Sequence, residues 1–252
     1  MTAPSVLALV RHAESEWLAE GRLQGRGDSP LTDLGLRQAT ALGARLAAPL
    51  APPALPLPDT APMAIWHSPL RRAAQTAQAI HEAREADAPL RPLAGLTELS
   101  QGEWEGLTQT EVRERYPERL RDWLTDPVRH HAPGGESLTD AAARVRAAAD
   151  TILGTRERAE GTADVHTGAI GVPLEPVLGY RDDAGMGRPS WAIIVAHDGV
   201  LRLLALGLLG VGLERFWSFP FALASVSVLD FGGVVRLRAH NLDEHIVALE
   251  RR

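Results

Sequence analysis

Three short apolar segments, each followed by polar residues and then by a helical pattern, constrain the fold of this chain more than any other feature. They are Val6–Val10, Met63–Trp66 and Trp191–Ala196. Each has the length of a buried β-strand. Strands that alternate with helices form a mostly parallel sheet with helices on both faces. The sequence therefore predicts an α/β fold, a three-layer α-β-α sandwich around a mostly parallel central sheet.

Helices are predicted where apolar residues recur every three to four positions. The first begins at the Thr32-Asp33 cap, and its apolar face is formed by Leu36, Ala39, Leu42, Leu46 and Leu50. Further helices are predicted at Arg71–Ala86, at Leu107–Leu124 with a break at Pro117, from Ser137 to about Leu153, and at Val200–Leu209. The last one is apolar on nearly all faces, so we expect it to be buried.

The domain organisation follows from length and local composition. A chain of 252 residues is long for one average domain and short for two, which favours a single domain, residues 1–252, with insertions. The proline-rich residues 49–62 predict a surface loop, and residues 155–190, with weak periodicity, predict an insertion. Ala224–Phe231 and Val234–His240 predict a hairpin across Gly232-Gly233.

Composition excludes several kinds of catalytic site. The chain has no cysteine, which excludes disulfides, thiol nucleophiles and Cys-ligated metals. All 26 basic residues are arginine, so a Schiff-base lysine and a P-loop lysine are excluded as well. A phosphate group would have to be held by arginine, histidine, backbone N–H groups or small polar side chains.

Charge and hydropathy indicate which partners and which cellular location to expect for the protein. A net charge of −6 provides no basic surface for a nucleic acid. The amino terminus lacks the basic segment of a signal peptide, and the longest apolar stretch, Val200–Val211, is too short to span a membrane. We therefore predict a cytoplasmic protein with no nucleic-acid partner and no membrane partner.

Polar residues follow all three predicted strands. Arg11-His12 follows the first, Ser68 and Arg72 follow the second, and His197 follows the third. Because such sheets bind ligands at the carboxyl ends of their strands, we expect two histidines and two arginines to converge on one crevice. Arginine forks bind phosphate oxygens bidentately, and a neutral histidine beside arginines can attack phosphorus. These residues predict a phosphate site.

Longer motifs surround these residues. Arg11–Ser15 resembles the RHG-E-[ST] signature of one family, and further motifs of that family follow in its order: Leu23–Thr32, Ser68–Ala77, Leu96–Glu98 with Gly102–Gly106, Pro133–Ser137, Val195–Gly199 and Asn241–Ile246. The chain thus resembles the histidine phosphatase superfamily, whose fold is phosphoglycerate-mutase-like. The resemblance covers the whole chain except the proline-rich loop and residues 155–190.

The resemblance implies a role for each reactive residue. His12 would attack phosphorus and become a phosphohistidine. Arg11, Arg72 and His197 would bind the phosphoryl oxygens, and Glu98 would bind substrate and protonate the leaving oxygen. Because arginines take the place of a Mg²⁺ clamp, the resemblance implies neither a metal ion nor another cofactor.

Other positions are expected at the edge of this site. The resemblance places Gln24 and Gly25 on the substrate side, and Glu136 and Ser137 either near the rim or in a simple helix cap. The family usually has glycine at the position of Ala13, and often has a phosphate-contacting asparagine at the position of Leu18. Leucine cannot make that contact.

Two other functions remain open beside the favoured one. A phosphoglycerate mutase would need a basic insertion after the general acid, whereas this chain has the acidic segment Gln101–Glu105. A non-catalytic phospho-ligand binding protein would be expected to lack a reactive group. The resemblance therefore favours a metal-independent phosphomonoester hydrolase that acts through a phosphohistidine.

The substrate is expected to be a small phosphorylated metabolite. The resemblance leaves it open among sugar phosphates, phosphoglycerate derivatives, nucleotide phosphates and α-ribazole phosphate. Glu103 and Glu105 predict a pocket that disfavours additional negative charge. A homodimer is left open, because family members are often dimers or tetramers.

Overall fold

A six-stranded sheet forms the centre of the protein. The computed structural model describes residues 3–84, 88–154, 189–231 and 234–250. The strands are β1 (Val6–Arg11), β2 (Ile65–His67), β3 (Leu90–Pro92), β4 (Trp191–Ala196), β5 (Val226–Asp230) and β6 (Arg236–Leu242). Their order in the sheet is β3-β2-β4-β1-β5-β6. The first four are parallel, β5 is antiparallel to β1, and β6 is antiparallel to β5.

Helices cover both faces of this sheet. They are α1 (Glu16–Ala19), α2 (Asp33–Ala47), α3 (Arg71–Arg84), α4 (Gln109–Arg115), α5 (Pro117–Thr125), α6 (Leu138–Leu153), α7 (Asp198–Leu209) and α8 (Val247–Glu250). Apolar residues of α2 and α3 pack on one face, and those of α6 and α7 pack on the other. The predicted three-layer α-β-α sandwich with a mostly parallel sheet is confirmed.

Capping residues fix where the helices begin. Thr32 accepts a hydrogen bond from Gly35 N at 2.9 Å, and Ser137 accepts one from Asp140 N at 3.1 Å, so each satisfies a free amide of the first turn. Pro117 opens α5 at the predicted break between α4 and α5. His197 occupies the N-cap of α7, which begins two residues before the predicted Val200.

The two central strands are buried on both faces. Leu7 and Leu9 of β1 pack beneath α6 and α7, whereas Val6, Ala8 and Val10 pack beneath α2 and α3. Every residue of β4 is buried as well. The residues that follow β1 and β4 are therefore held by strands buried in the core.

Some predictions for individual segments were wrong or fall outside the described residues. Leu36 and Leu50 are exposed, because α2 ends at Ala47 and its buried face runs through Ala39, Leu42 and Leu46. The proline-rich segment has no helix or strand, yet its Leu55 and Leu57 are buried in the core beneath α2 and α3.

The predicted insertion cannot be compared, since residues 155–188 lie outside the described part of the chain. Strands β5 and β6 pair antiparallel, as the hairpin prediction requires, while its Gly232-Gly233 turn lies outside that part too. Among the described residues, none of the helices has the length and apolar character needed to cross a bilayer.

Candidate active site

The carboxyl ends of β1, β2 and β4 lie side by side. Arg11 is in register with Ala196, and His67 with Val195, so the three strands finish at one edge of the sheet. The residues that follow them are brought together there. The rings of His12 and His197 lie 5.1 Å apart between centroids and are inclined by 60°.

The side chain of His12 is buried and hydrogen-bonded to the backbone. Its Nδ1 lies 2.7 Å from the carbonyl oxygen of Ala13. A carbonyl oxygen only accepts, so Nδ1 carries the hydrogen and Nε2 keeps a free lone pair. Burial, followed by the charges of Arg72 and Arg11, lowers the pKa of His12 well below its usual value. The ring is therefore neutral near pH 7, the state in which a histidine can act as a nucleophile.

His197 is completely buried behind His12. Its Nε2 lies 2.8 Å from the hydroxyl of Ser68, the residue that follows β2. Burial lowers the pKa of His197 well below its usual value, and the charge of Arg72 lowers it further. His197 is therefore neutral at the same pH as His12.

Two arginines supply the positive charge of the site. Arg72 is completely buried and donates to the carbonyl oxygens of Gly27 at 2.7 Å and Gly25 at 2.8 Å. Burial lowers the pKa of Arg72 to about 10, so its guanidinium stays charged at pH 7. Arg11 donates to the carbonyl oxygen of Phe221. The Nε atoms of both arginines are buried without a hydrogen-bond partner among the described residues.

Glu98 is the predicted acid of the site. Its oxygens accept from the amide of Leu99 at 2.9 Å and from the amide of Gly199 at 3.3 Å. Burial raises the pKa of Glu98 above its usual value, although those amides and the charge of Arg72 oppose the shift. A carboxyl group with a raised pKa can carry a proton closer to neutral pH than an exposed one.

Gln24 and Gly25 lie beside these groups. Gln24 Oε1 accepts from the hydroxyls of Ser15 at 2.7 Å and Ser29 at 3.3 Å, which leaves its amide NH₂ as a donor. Gly25 has a φ of +49°, and a Cβ there would lie 2.3 Å from Glu105 Oε1. The sequence needs glycine at this position, because a side chain would displace the loop that holds Arg72.

One cleft of about 410 Å³ connects these residues. The predicted site residues on its wall are Arg11, His12, Gln24, Gly25, Arg72 and Glu98. His197 contacts the site from behind His12. A neutral histidine, a carboxyl group and two guanidinium groups at one end of a cleft can bind a tetrahedral dianion and carry out acid–base chemistry.

Ala13 and Leu18, the two residues that depart from the family pattern, lie in different surroundings. Ala13 is fully buried, its backbone amide donates to Thr76 Oγ1 at 3.2 Å, and it is not among the described residues with a positive φ. The tight turn after His12 therefore accommodates a methyl group. Leu18 lines the cleft and presents an apolar side chain to it.

The sequence did not single out the bonds that orient Arg11. Asp198 accepts from the amide of Phe221 at 2.9 Å and pairs with Arg202 at 2.8 Å, and the Phe221 carbonyl holds Arg11. The four-residue spacing of Asp198 and Arg202 on one helix was the signal for the ion pair. The Phe221 carbonyl carries no sequence signal, because any residue supplies one.

Glu136 and Ser137 have structural contacts. Ser137 caps α6. Glu136 binds the guanidinium of Arg144 at 2.7 and 2.8 Å, and Arg144 also donates to the backbone carbonyls of Gly95 and Glu98. The pair thus supports the segment that carries Glu98, and neither Glu136 nor Ser137 belongs to the described lining of the cleft.

Glu103 and Glu105, which the sequence expects to disfavour additional negative charge, are bound to other groups beside the site. Glu105 binds the backbone amides of Arg26 and Gln101, and Glu103 accepts from the hydroxyl of Tyr116. Neither glutamate is part of the described lining. No group of three or more histidine, aspartate or glutamate side chains arranged to hold a metal ion is found in the described parts of the chain.

A sequence model of the histidine phosphatase superfamily (branch 1) matches residues 7–188 and 180–242 of the chain. Phosphoserine phosphatase 1 of Hydrogenobacter thermophilus is 31% identical over 226 residues, which cover 88% of this chain and 85% of that protein. A glucosyl-3-phosphoglycerate phosphatase of Mycolicibacterium vanbaalenii is 29% identical over 230 residues, which cover 91% of this chain and 85% of that protein.

Solved structures are similar over nearly the whole length. Bacillus stearothermophilus YhfR gives a TM-score of 0.71 at 28% identity, with 96% of this chain and 98% of that chain covered. The native structure of a mycobacterial glucosyl-3-phosphoglycerate phosphatase gives a TM-score of 0.69 at 26% identity, with 95% and 99% covered.

Proposed function

Because the chain belongs to the histidine phosphatase superfamily (branch 1), we propose that it hydrolyses phosphomonoesters through a phosphohistidine formed at His12, without a metal ion. The observation that carries the assignment of His12 is its hydrogen bond to the Ala13 carbonyl. This bond leaves Nε2 as the free nucleophilic atom of a buried, neutral ring.

The first half-reaction forms the phosphoenzyme. His12 Nε2 attacks phosphorus, the nitrogen–phosphorus bond forms, and the bond from phosphorus to the substrate oxygen breaks. Glu98 gives its proton to that leaving oxygen and becomes a carboxylate. The raised pKa of Glu98 supports this role, because the acid has to be protonated before the reaction.

The second half-reaction releases phosphate. A water molecule attacks phosphorus, the nitrogen–phosphorus bond breaks, and the Glu98 carboxylate takes the proton of the attacking water. The enzyme returns to its starting state with neutral His12 and protonated Glu98. One carboxyl group thus acts as acid and then as base.

Arg11, Arg72 and His197 are proposed to bind the phosphoryl oxygens in both steps. Charged guanidinium groups fixed by protein carbonyls stabilise negative charge on the transferring group without reorganising. The carbonyls of Gly25, Gly27 and Phe221 hold the two arginines in this way. This fixed positive charge supports a reaction that needs no metal ion.

The substrate class proposed from the relatives is a small phosphorylated metabolite. Two relatives are named for phosphoserine and for glucosyl-3-phosphoglycerate. We place the enzyme in the cytoplasm and keep a homodimer as a prediction, to be tested by light scattering after gel filtration.

Hydrolysis of p-nitrophenyl phosphate in excess EDTA tests the proposed function. We expect turnover to survive the chelator. The reaction must not be quenched with acid when the intermediate is trapped, because phosphohistidine is acid-labile. A phosphoenzyme trapped in alkaline denaturant and mapped by mass spectrometry should carry its phosphate on His12. Activity that EDTA removes and Mg²⁺ restores, or phosphate trapped on another residue, would contradict the proposal.

The pH dependence should report the ionisation of Glu98. His12 has a lowered pKa and stays neutral across mildly acidic pH, whereas Glu98 has a raised pKa and loses its proton as pH rises. We expect the ratio of kcat/KM for an alkyl phosphate to that for p-nitrophenyl phosphate to fall with rising pH between about 4 and 9. Each kcat/KM is first divided by the fraction of that ester present as the dianion, because an alkyl phosphate loses its second proton at a higher pH than p-nitrophenyl phosphate; the ratio always means this corrected ratio. A ratio that rises with pH would contradict the assignment of Glu98.

A further inference from the structure

Beyond the phosphate end, the cleft is walled by apolar side chains. They come from the segment after β1, from α5 and from the turn Leu213–Ser218: Leu18, Leu120, Trp123, Leu124, Phe216 and Trp217. Ligand pockets with a large apolar surface and few fixed polar groups bind ligands by burial of apolar area. The chemistry of this wall therefore differs from that of the phosphate end.

Three aromatic rings form the most compact part of the wall. The centroids of Phe216 and Trp217 are 4.8 Å apart, and Trp123 lies 5.8 Å from Phe216 and 5.4 Å from Trp217. The guanidinium of Arg202 stacks on Phe216 at 5.5 Å and on Trp217 at 5.2 Å. Arg202 also pairs with Asp198, so the aromatic wall is fixed to the helix that follows His197.

Two members of the wall are exposed to a degree that packing alone does not explain. The exposed fraction is 40% for Trp217 and 55% for Leu124. Large apolar side chains that face a cleft together mark a surface that a ligand covers. Leu18 adds a third apolar side chain to the lining of the cleft.

The cleft lining also includes Arg22 and Arg113, which suit a substrate carboxylate, but it offers little to the ammonium group of a zwitterionic substrate. The carboxylates on the described lining are Glu98 and Asp198. One carboxylate oxygen of Asp198 pairs with Arg202, and the other accepts a hydrogen bond from the amide of Phe221. The ammonium group of an amino-acid phosphate would therefore lack a free carboxylate other than the proposed general acid, and its desolvation would oppose binding.

We infer, on the basis of the proposed phosphatase activity, that the alcohol part of the preferred substrate is bulky and apolar, either aromatic or a long alkyl chain. Its phosphate binds beside His12, and its apolar part covers Leu18, Leu124 and Trp217. These three side chains set the specificity of the enzyme.

A series of alkyl phosphates tests the inference at nearly constant leaving-group acidity. We expect kcat/KM for octyl phosphate and 2-phenylethyl phosphate to exceed that for ethyl phosphate by roughly 10–200-fold, the range that apolar pocket contacts supply. O-phosphoserine should be hydrolysed no faster than ethyl phosphate. Equal kcat/KM across the series, or a preference for O-phosphoserine, would overturn the inference.

Two cleft variants and a matched control test which side chains produce the preference for octyl phosphate over ethyl phosphate. Leu124→Gln and Trp217→Ala should lower kcat/KM for octyl phosphate more than for ethyl phosphate. Leu36→Gln is the control, because Leu36 is a helical leucine with a similar exposed fraction, 46%, and lies off the described lining of the cleft. It should change neither value. Equal losses on both substrates in the two cleft variants would show a structural role and overturn the inference.

Trapping separates failure of this inference from failure of the proposed function. Phosphate trapped on His12 from both ethyl and octyl phosphate, without a difference in kcat/KM, would overturn the apolar substrate class and leave the phosphatase mechanism intact. If wild-type enzyme hydrolyses these esters and no phosphohistidine is trapped from any of them, the mechanism at His12 is overturned, and the substrate class is then decided by the kcat/KM series alone.

Discussion

Replacing His12 with asparagine is expected to lower kcat for p-nitrophenyl phosphate by on the order of 10⁴–10⁶-fold, the scale of loss when a covalent nucleophile is removed from an enzyme. The amide NH₂ of asparagine can still donate to the Ala13 carbonyl, as Nδ1 does in the native chain. The atom that is lost is Nε2. The measurement is steady-state hydrolysis together with a search for trapped phosphoenzyme.

The chain offers a closely matched control for this substitution. His67 is also buried at the end of a strand, and its Nδ1 lies 2.9 Å from the carbonyl oxygen of the following Ser68. It does not belong to the described lining of the cleft. His67→Asn therefore makes the same change in the same local geometry, and we expect it to retain most of the activity.

Binding should survive the loss of the nucleophile. Arg11, Arg72 and His197 remain in the His12→Asn variant, so inorganic phosphate should still raise its Tm. Such a shift would show a folded protein with an intact anion site. A His12→Asn variant that keeps more than about a tenth of the wild-type kcat, or a His67→Asn variant that loses as much as His12→Asn does, would contradict the nucleophile assignment.

The reactive end of the site could be predicted because it depends on local pattern and one topological rule. Apolar segments mark β1, β2 and β4, and parallel strands bring their carboxyl ends to one edge. His12, Arg72 and His197 follow from that rule, and the sheet register and the 5.1 Å between the two histidine rings show that His12 and His197 lie together. Glu98 required the family resemblance, because it follows no predicted strand end.

The apolar wall could not be predicted in the same way. Its members come from segments that are distant in sequence, and contacts such as those of the Trp123 ring with Phe216 and Trp217 bring them together. The concentration of aromatic residues in Phe216–Phe221 was the available signal. Periodicity alone could not distinguish a wall of a cleft from an ordinary part of the core.

The sequence pattern also gave wrong expectations for the exposure of some leucine side chains. Leu36 has the spacing of a buried residue, yet it lies in the first turn of α2, on the side that faces away from the sheet. Leu55 and Leu57 sit among prolines and are fully packed. Where a chain segment meets the core depends on neighbours that are remote in sequence, and these are not visible in a window of a few residues.

Replacing Glu98 with glutamine should slow hydrolysis by an amount that depends on the leaving group. For an alkyl phosphate, whose alkoxide is a poor leaving group, kcat/KM should fall by about 10²–10⁴-fold, the usual contribution of a general acid. For p-nitrophenyl phosphate the fall in kcat/KM should be small, because p-nitrophenolate leaves without protonation. Its kcat should fall as well, because Glu98 also activates the water that hydrolyses the phosphohistidine. Glutamine is isosteric and can still accept from the amide of Leu99, although its NH₂ cannot accept from Gly199.

The pH profile distinguishes loss of the acid from a general disturbance of the site. In Glu98→Gln the ratio of kcat/KM for the alkyl phosphate to that for p-nitrophenyl phosphate should be low and independent of pH, because the group whose raised pKa sets that ratio is gone. Glu103→Gln is the control, since Glu103 is exposed, close in sequence and hydrogen-bonded to Tyr116. It should keep the wild-type ratio at every pH. Equal losses on both substrates in Glu98→Gln, with the pH dependence of the ratio retained, would mean that another group protonates the leaving oxygen.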